Sequence, residues 1–583
     1  MKFIPAIGES DFRLLREAGH GYVDKTSFIT EVLSDPSVVL LFPRPRRFGK
    51  TLNISALYHF LRKTDEDVSH LFEGLAVTQS PEAMAHFQKY PTLFVTFKDV
   101  KARTFADAIE GVRSRIVQLY RQYQYLLDGS QLDRTMAMRF EKVLYGTPST
   151  QELEDSLWIL STALHEHHKT RVVVLIDEYD TPIQSGYING FFDEIVLFFR
   201  NFLSAALKDN SSLFKGVLTG ILRVSKENMF SGLNNIEVHS ILSPRYATSF
   251  GFTEEEVTNI VDPAHLDEVR SWYNGYLFGG QVIYNPWSIL NYIKNGRLAP
   301  YWVNTSSIDL IEHLATRQGM GLSATSATLL NGESIEVPID DNIVLRDING
   351  RPDALWNFLL FSGYLKLVEL HSNEMGDVTG KLAIPNMEVR RVYRTMFDNW
   401  LHKATPDRSM LDRFVQALME GDAPTVEAFL QHILLTVVSY QDGAGREPEK
   451  LYHGLMLGLL VHLESQYFVR SNLESGFGRA DVLMIPKTKG RPGVVMEFKV
   501  PFGKETPQKA LEEAAKQIRE REYGAAVKSA GATPVYQYAM VFDGKQAWVK
   551  PVNEPKSAPA KAKASRPSKA RASKRTKSKP ANR

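Results

Sequence analysis

Four strand-length aliphatic runs punctuate the first 220 residues: VVLLF (38–42), TLFVTF (92–97), RVVVLID (171–177) and LFKGVLTG (213–220). None alternates cleanly between apolar and polar residues, so each is expected to be buried on both faces. Segments with helical spacing separate them. These are TLNISALYHFLRKT, a long stretch to about Leu127 with Ile116, Leu119 and Tyr120 on one face, and FDEIVLFFRNFLSAAL. Strands alternating with helices predict a parallel sheet with helices on both faces.

Residues 1–37 read as a lead-in, with YVDKTSFITEVL as an amphipathic helix. From about Gly251 the texture changes. GFTEEEVTNIV places Thr253 as an N-cap ahead of acidic residues. The stretch WYNGYLFGGQVIYNPWSILNYI is rich in aromatics and turns, and Trp272, Tyr273, Tyr276, Trp287 and Tyr292 are expected to form its core. ALWNFLLFSGYLKLVEL, KLAIPN and EVRRVYRTMFDNWL then read as helix, strands, helix, an order that suits a small winged-helix-like module near 350–400. Helices are expected over 405–440, then the apolar helix PEKLYHGLMLGLLVHL. Strands ADVLMI and GVVMEFKV, helix ALEEAAKQIREREYG and strand PVYQYAMVFDG complete a second α/β region. The expected division is 1–250, a helical lid 251–345, a winged-helix-like and helical connector 346–440, a second α/β domain 441–553 and a disordered basic tail 554–583.

Composition narrows the classes. No stretch approaches the ~20 apolar residues that span a bilayer, so no membrane partner is expected. Cysteine is absent, which removes disulfides, thiol nucleophiles and Cys-based zinc sites. With no apolar leader in MKFIPAIGESDFRLLREAGH, the expected location is the cytoplasm, or the nucleus if the host has one. His165, His167 and His168 read as the exposed end of a helix rather than as metal ligands. From Glu554 onward the chain holds 11 Lys/Arg and one Glu, a net of +10, so the body carries −8. Such a tail is either a solubilising extension or a non-specific magnet for nucleic acid phosphates.

The first run leads into PRPRRFGKTLN. Gly49-Lys50-Thr51, between a strand and a helix, is how a phosphate-binding loop ends. There backbone N–H groups and a helix N-terminus face the anion, the lysine adds charge and the hydroxyl ligates Mg²⁺. The usual pattern asks for glycine where this chain has Arg44. The third run ends in Asp177-Glu178, the place of a carboxylate on the Mg²⁺ side and of a residue that polarises water. Thr219, ending the fourth run, is placed to sense a γ-phosphate. Arg223 is placed either to reach a phosphate or to form a surface salt bridge.

LFPRPRRFGKTLNISAL, VVVLIDEYDTPI, LTGILRVSKENMFSGLNN and SWYNGYLFGGQVIYNPWSIL resemble the AAA-ATPase-like family over nearly everything up to the tail. The resemblance implies a P-loop ATPase of the AAA/STAND type joined to a C-terminal PD-(D/E)XK restriction-endonuclease-like domain. It also implies that Arg44 belongs to the loop's usual form, with Arg46 and Arg47 supplying charge near the phosphates.

The C-terminal region bears on that expectation. GFGRADVLMIPKTKGRPGVVMEFKV carries Asp481, then Glu497 and Lys499 two residues apart, hence on one face of a strand. A turn at Thr488–Pro492 brings Asp481 beside them. Two carboxylates and a carbonyl suit Mg²⁺, or Mn²⁺, with Lys499 orienting or helping to deprotonate the nucleophile. Glu449 on the preceding helix and Gln517 on the following one are candidates to complete the site. This matches the PD-(D/E)XK pattern, with Ala480-Asp481 in place of Pro-Asp.

The leading expectation is an ATP-regulated, metal-dependent nuclease acting on nucleic acid, DNA first. The alternatives are a nucleotide-dependent switch whose nuclease fold binds without cleaving, and a chaperone-like ATPase acting on protein. Self-association into a homo-oligomer is compatible with each.

Overall fold

The computed structural model describes residues 3–128, 132–221, 235–302, 328–330, 332–341, 351–404, 408–437, 448–460, 463, 466–475 and 478–552. Arg223 and the basic tail lie outside them. The chain forms two compact units, one of residues 1–412, 429–465 and 544–546, the other of 413–428, 466–543 and 547–583.

The larger unit is built on a parallel sheet of β1 (Val39–Pro43), β2 (Thr92–Thr96), β3 (Val172–Asp177), β4 (Leu213–Gly220) and β5 (Ile236–Val238). Its order is β2-β3-β4-β1-β5. The four aliphatic runs are thus four of the five strands, and β1 and β3 are buried along their whole length. The fifth, only three residues long and carrying Glu237, has too little pattern to be read in advance. On one face Phe28, Leu40, Phe42, Ile54, Leu57, Phe60, Val173, Leu175 and Phe250 form a continuous core. The helix Phe105–Arg121 buries Ile116, Leu119 and Tyr120, as its spacing predicts, and is capped by Thr104.

The lead-in helix is shorter than its sequence suggests, running only over Ser27–Ser34. Asp24 Oδ1 accepts both the Thr26 N–H (2.8 Å) and its hydroxyl (2.7 Å), a local turn that competes with the helix. Thr253 does cap its helix, in a reciprocal box with Glu256. Around it β6 (Phe252–Thr253), β7 (Tyr276–Phe278) and β8 (Gln281–Tyr284) form a small antiparallel sheet. Tyr273 and Tyr292 are buried in its core with Trp272 packed against them, whereas Tyr276 is buried against Phe48 and Trp302 and Trp287 is only half-buried, outside that cluster. The expected helix–strands–helix order follows as helix Pro352–Phe361, β10 (Lys366–Ser372), β11 (Val378–Ala383) and helix Met387–Ala404. An upstream strand, β9 (Ile335–Pro338), joins the other edge of β11.

The smaller unit holds a mixed sheet, ordered β12-β13-β14-β15-β16. Its strands are β12 (Tyr467–Ser475), β13 (Gly478–Pro486), β14 (Gly493–Lys499), β15 (Val535–Asp543) and β16 (Gln546–Pro551). β13 is antiparallel to both β12 and β14, whereas β14 and β15 run parallel. Ala510, Ala514 and Ile518 of helix Pro507–Glu520 pack over Leu483, Val495, Ala539 and Val541. No described helix is long and apolar enough to cross a membrane.

Candidate functional site

Helix Lys50–Leu61 follows β1 through a loop that only a glycine completes without strain. Gly49 is in the left-handed region at φ 85°, and a Cβ there would meet open space. The Lys50 ammonium is folded back over the loop and donates to the Arg44 and Pro45 carbonyls at 3.0 Å each. Burial pushes Lys50 down from the ordinary lysine range, and Glu178, Asp177 and Asp180 oppose that shift.

β4 lies between β1 and β3, and this order brings three strand ends together. Asp177, fully buried, accepts hydrogen bonds from Thr219 at Oδ1 (2.7 Å) and from Thr51 at Oδ2 (2.9 Å). Thr96, at the end of β2, donates to the same Oδ2 at 3.0 Å. Burial and the adjacent Glu178 raise the Asp177 carboxyl above its usual range, and the Thr219 and Thr51 hydroxyls restrain that rise. Glu178 has φ 52°, so its backbone turns sharply at the strand end. Thr96 and the pair Asp180–Gln184 went unread in the sequence. Gln184 receives Arg46 on its carbonyl (3.0 Å) and donates to Asp180 (2.9 Å).

Arg44 has a structural role. It is wholly buried, donates to the carbonyls of Pro43, His239 and Tyr246, and lies over the rings of Phe250 and Phe278. Burial brings its guanidinium down to about 9, still charged at neutral pH. Arg47 has φ 66° and rests its guanidinium on Trp287, 4.1 Å from the ring centre. This places Trp287 beside the loop.

Next to Gly49 a cleft opens to solvent. Its walls include Tyr22, Val23, Leu52, Phe252, Pro286 and Leu290, with Glu9, Lys25 and Asn53 as polar groups. Lys25 is tied to Glu256 by both carboxylate oxygens (2.7 and 2.6 Å) and to the Thr248 carbonyl, which joins the lead-in segment to the capped helix after Gly251. The cleft meets the start of the helix at Gly49, whereas Lys50, Thr51 and Asp177 are not among its walls; an apolar slot at a helix N-terminus fits the base end of a nucleotide.

In the smaller unit the register pairs Val482 with Met496 and Leu483 with Val495. Continuing it sets Asp481 across from Glu497, so both carboxylates share one sheet face. Asp481 Oδ2 accepts the Phe498 N–H at 2.6 Å, and Glu497 is only 2% exposed. Lys499 Nζ lies 3.9 Å from Glu497 Oε1. Burial raises the Asp481 carboxyl, with the Phe498 N–H and Lys499 opposing. Buried Glu497 and half-buried Asp481, set opposite each other, repel unless a cation joins them, so the pair fits a divalent ion that retains waters. Among the described residues no group of three or more His, Cys, Asp or Glu gathers to hold a metal. Gln517 donates to the Tyr523 hydroxyl at 2.9 Å. Glu449 is exposed in the first turn of helix Pro448–Leu460, which belongs to the larger unit.

Comparison with known proteins agrees with both halves. Residues 6–230 match the family model described as predicted AAA-ATPase, and residues 447–551 match that of the PD-(D/E)XK nuclease superfamily. A relative from Azotobacter chroococcum mcd 1, "Uncharacterized protein in vnfD 5'region", is 30% identical over 318 residues. The match takes in 54% of this chain and 56% of that relative, so the chain spans little more than half the relative's length. The polypeptide therefore joins a domain of the predicted AAA-ATPase family, at 6–230, to a domain of the PD-(D/E)XK nuclease superfamily, at 447–551.

Proposed function

We propose that this chain is a cytoplasmic ATPase whose nucleotide state controls a metal-dependent nuclease acting on nucleic acid, DNA first. The observation that carries the first half is the meeting of Lys50, Thr51 and Asp177 at the ends of β1 and β3, beside the cleft at Gly49. In this reading Lys50 leaves the Arg44 and Pro45 carbonyls to meet the β- and γ-phosphates, and Arg46 and Arg47 add charge. Thr51 and Asp177 hold Mg²⁺, which when bound neutralises phosphate charge. Glu178 orients the attacking water. Thr219, bonded to Asp177, is positioned to respond to the γ-phosphate, with Arg223 as a further phosphate contact. The cleft takes the base.

For the second half, Asp481 and Glu497 hold Mg²⁺ or Mn²⁺, which when bound lowers the pKa of water and stabilises charge at phosphorus. Lys499 orients or deprotonates the nucleophile, and Gln517 and Glu449 are assigned supporting places. The basic tail adds non-specific attraction to phosphates. The five-part division of the chain, with 251–345 as lid, belongs to the same proposal.

The test is to incubate the purified protein with labelled single- and double-stranded DNA and RNA, Mg²⁺ or Mn²⁺, with and without ATP. Metal-dependent cleavage that changes with ATP and is lost in Lys499→Ala supports the reading. Binding of nucleic acid without cleavage by the wild type would assign the C-terminal domain a gripping role instead.

A further inference from the structure

Three consecutive carbonyls of the phosphate loop each have a side-chain N–H donor. Lys50 serves those of Arg44 and Pro45. The Arg46 carbonyl is served by the Trp302 indole N–H at 3.0 Å, with the Asn285 amide at 3.5 Å. Trp302 is 1% exposed, and Glu388 Oε1 accepts its backbone N–H at 2.7 Å. The other Glu388 oxygen accepts the Ser288 hydroxyl at 2.8 Å. Glu388 is itself completely buried, in the first turn of helix Met387–Ala404. The Trp302 ring packs on Tyr364, with centroids 4.8 Å apart. The preceding residue, Gly363, lies so close to the loop that a Cβ would come within 2.9 Å of Pro45.

We propose that Trp302, held by Glu388, is a positioning residue for the phosphates, acting through the Arg46 carbonyl. The inference rests on the nucleotide reading above and adds to it a role for residues outside the nucleotide-binding sheet. In a trans peptide the carbonyl of one residue and the N–H of the next point to opposite sides of the plane. Anchoring the Arg46 carbonyl on Trp302 therefore directs the Arg47 N–H the other way and fixes the orientation of that loop peptide. Lys50 cannot do this, because it must release its carbonyls to meet a phosphate. The Trp302 bond is independent of Lys50, so it can hold the loop's shape when the lysine is drawn away.

The experiment compares Trp302→Phe, Glu388→Ala and Glu388→Gln by calorimetric titration with Mg²⁺-ATP, Mg²⁺-ADP and adenosine. Trp302→Phe keeps an aromatic ring against Tyr364 and loses the donor together with part of the indole's volume; adenosine binding reports the packing loss separately. It should bind ATP and ADP about tenfold more weakly, the scale of one hydrogen bond, with adenosine binding unchanged. Glu388→Ala should reproduce that pattern. Glu388→Gln retains a carbonyl oxygen for the Trp302 N–H and should stay within about twofold of wild type. The double change Glu388→Ala with Trp302→Phe should be no worse than Trp302→Phe alone. Wild-type ATP affinity in Trp302→Phe overturns the proposal. So does an equal loss of adenosine binding, which marks a general structural defect. A wild-type protein that binds no triphosphate overturns the nucleotide reading and this inference with it. A wild type that binds triphosphate, with no selective weakening in Trp302→Phe, overturns the inference alone. If Glu388→Ala does not fold, the Trp302→Phe series decides.

Discussion

Replacing Lys50 by methionine separates the cost of losing a charge in the free protein from the cost in the bound one. In the free protein Lys50 is 4% exposed and its ammonium makes two bonds, to the Arg44 and Pro45 carbonyls at 3.0 Å. Each charge-assisted bond contributes ~1.5–3 kcal/mol. Against this stands desolvation of the ammonium, the largest influence pushing Lys50 down. Methionine removes both, so the net loss of stability should be only ~1–3 kcal/mol. Phosphate binding is offset in part, because the ammonium gives up those two carbonyls. Two bonds from the ammonium to phosphate oxygens represent ~3–6 kcal/mol before that exchange, an upper bound of ~10²–10⁴-fold in Kd. Thermal unfolding without nucleotide, beside calorimetric titration with Mg²⁺-ATP, measures the two terms. A Lys50→Met protein that folds and binds Mg²⁺-ATP as wild type does would refute the assignment of the loop.

Glu178→Gln should bind ATP normally and fail to turn it over, because an amide cannot polarise water; phosphate release at the wild-type rate would place the base elsewhere. Asp481→Ala should lose both Mn²⁺ binding and cleavage, whereas Lys499→Ala should keep the metal and lose cleavage by ~10²-fold or more. Equal Mn²⁺ affinity in Asp481→Ala by calorimetry would show that this residue is not a ligand. Burial raises Glu388 from 4.5 to about 7, so the folded state holds a proton that the unfolded state has lost. Stability should therefore fall as pH rises from about 4.5 to about 7, by about 3 kcal/mol, and level off above. Chemical denaturation at pH 5 and pH 8 should show this slope in wild type and a smaller one in Glu388→Gln. Deleting residues 555–583, which removes all 11 basic charges of the tail, should flatten the salt dependence of nucleic acid binding and leave ATP affinity unchanged. An unchanged slope would show that the tail makes no phosphate contacts.

What the sequence alone determined is what depends on short-range pattern. Largely apolar runs of strand length, separated by helical patterns, read as buried strands, and β1 to β4 follow them closely. Gly49 before Lys50-Thr51 marks a strand-to-helix turn because few other residues accept its backbone angles. Thr253 with Glu256 forms a cap that needs nothing beyond four consecutive residues. Glu497 and Lys499 share a face because a strand's side chains alternate. The polar strand β12, with Arg470, Asn472 and Glu474, carries no such pattern and went unread.

Tertiary structure decided the partners. The sheet order β2-β3-β4 is what gathers Thr96 and Thr219 around Asp177, since residues 81 and 42 positions away become neighbours only once the strands are ordered. Arg44 reads in the sequence as an oddity in a glycine's place. Only the fold shows its guanidinium answering the His239 and Tyr246 carbonyls, 195 and 202 residues on. Trp302 reaches Arg46 across 256 residues, and no local signal distinguishes its indole from any other core aromatic. A buried backbone carbonyl needs a donor, but it accepts one from any part of the chain. The requirement is therefore local, while the residue that meets it is chosen by the packing of the whole domain.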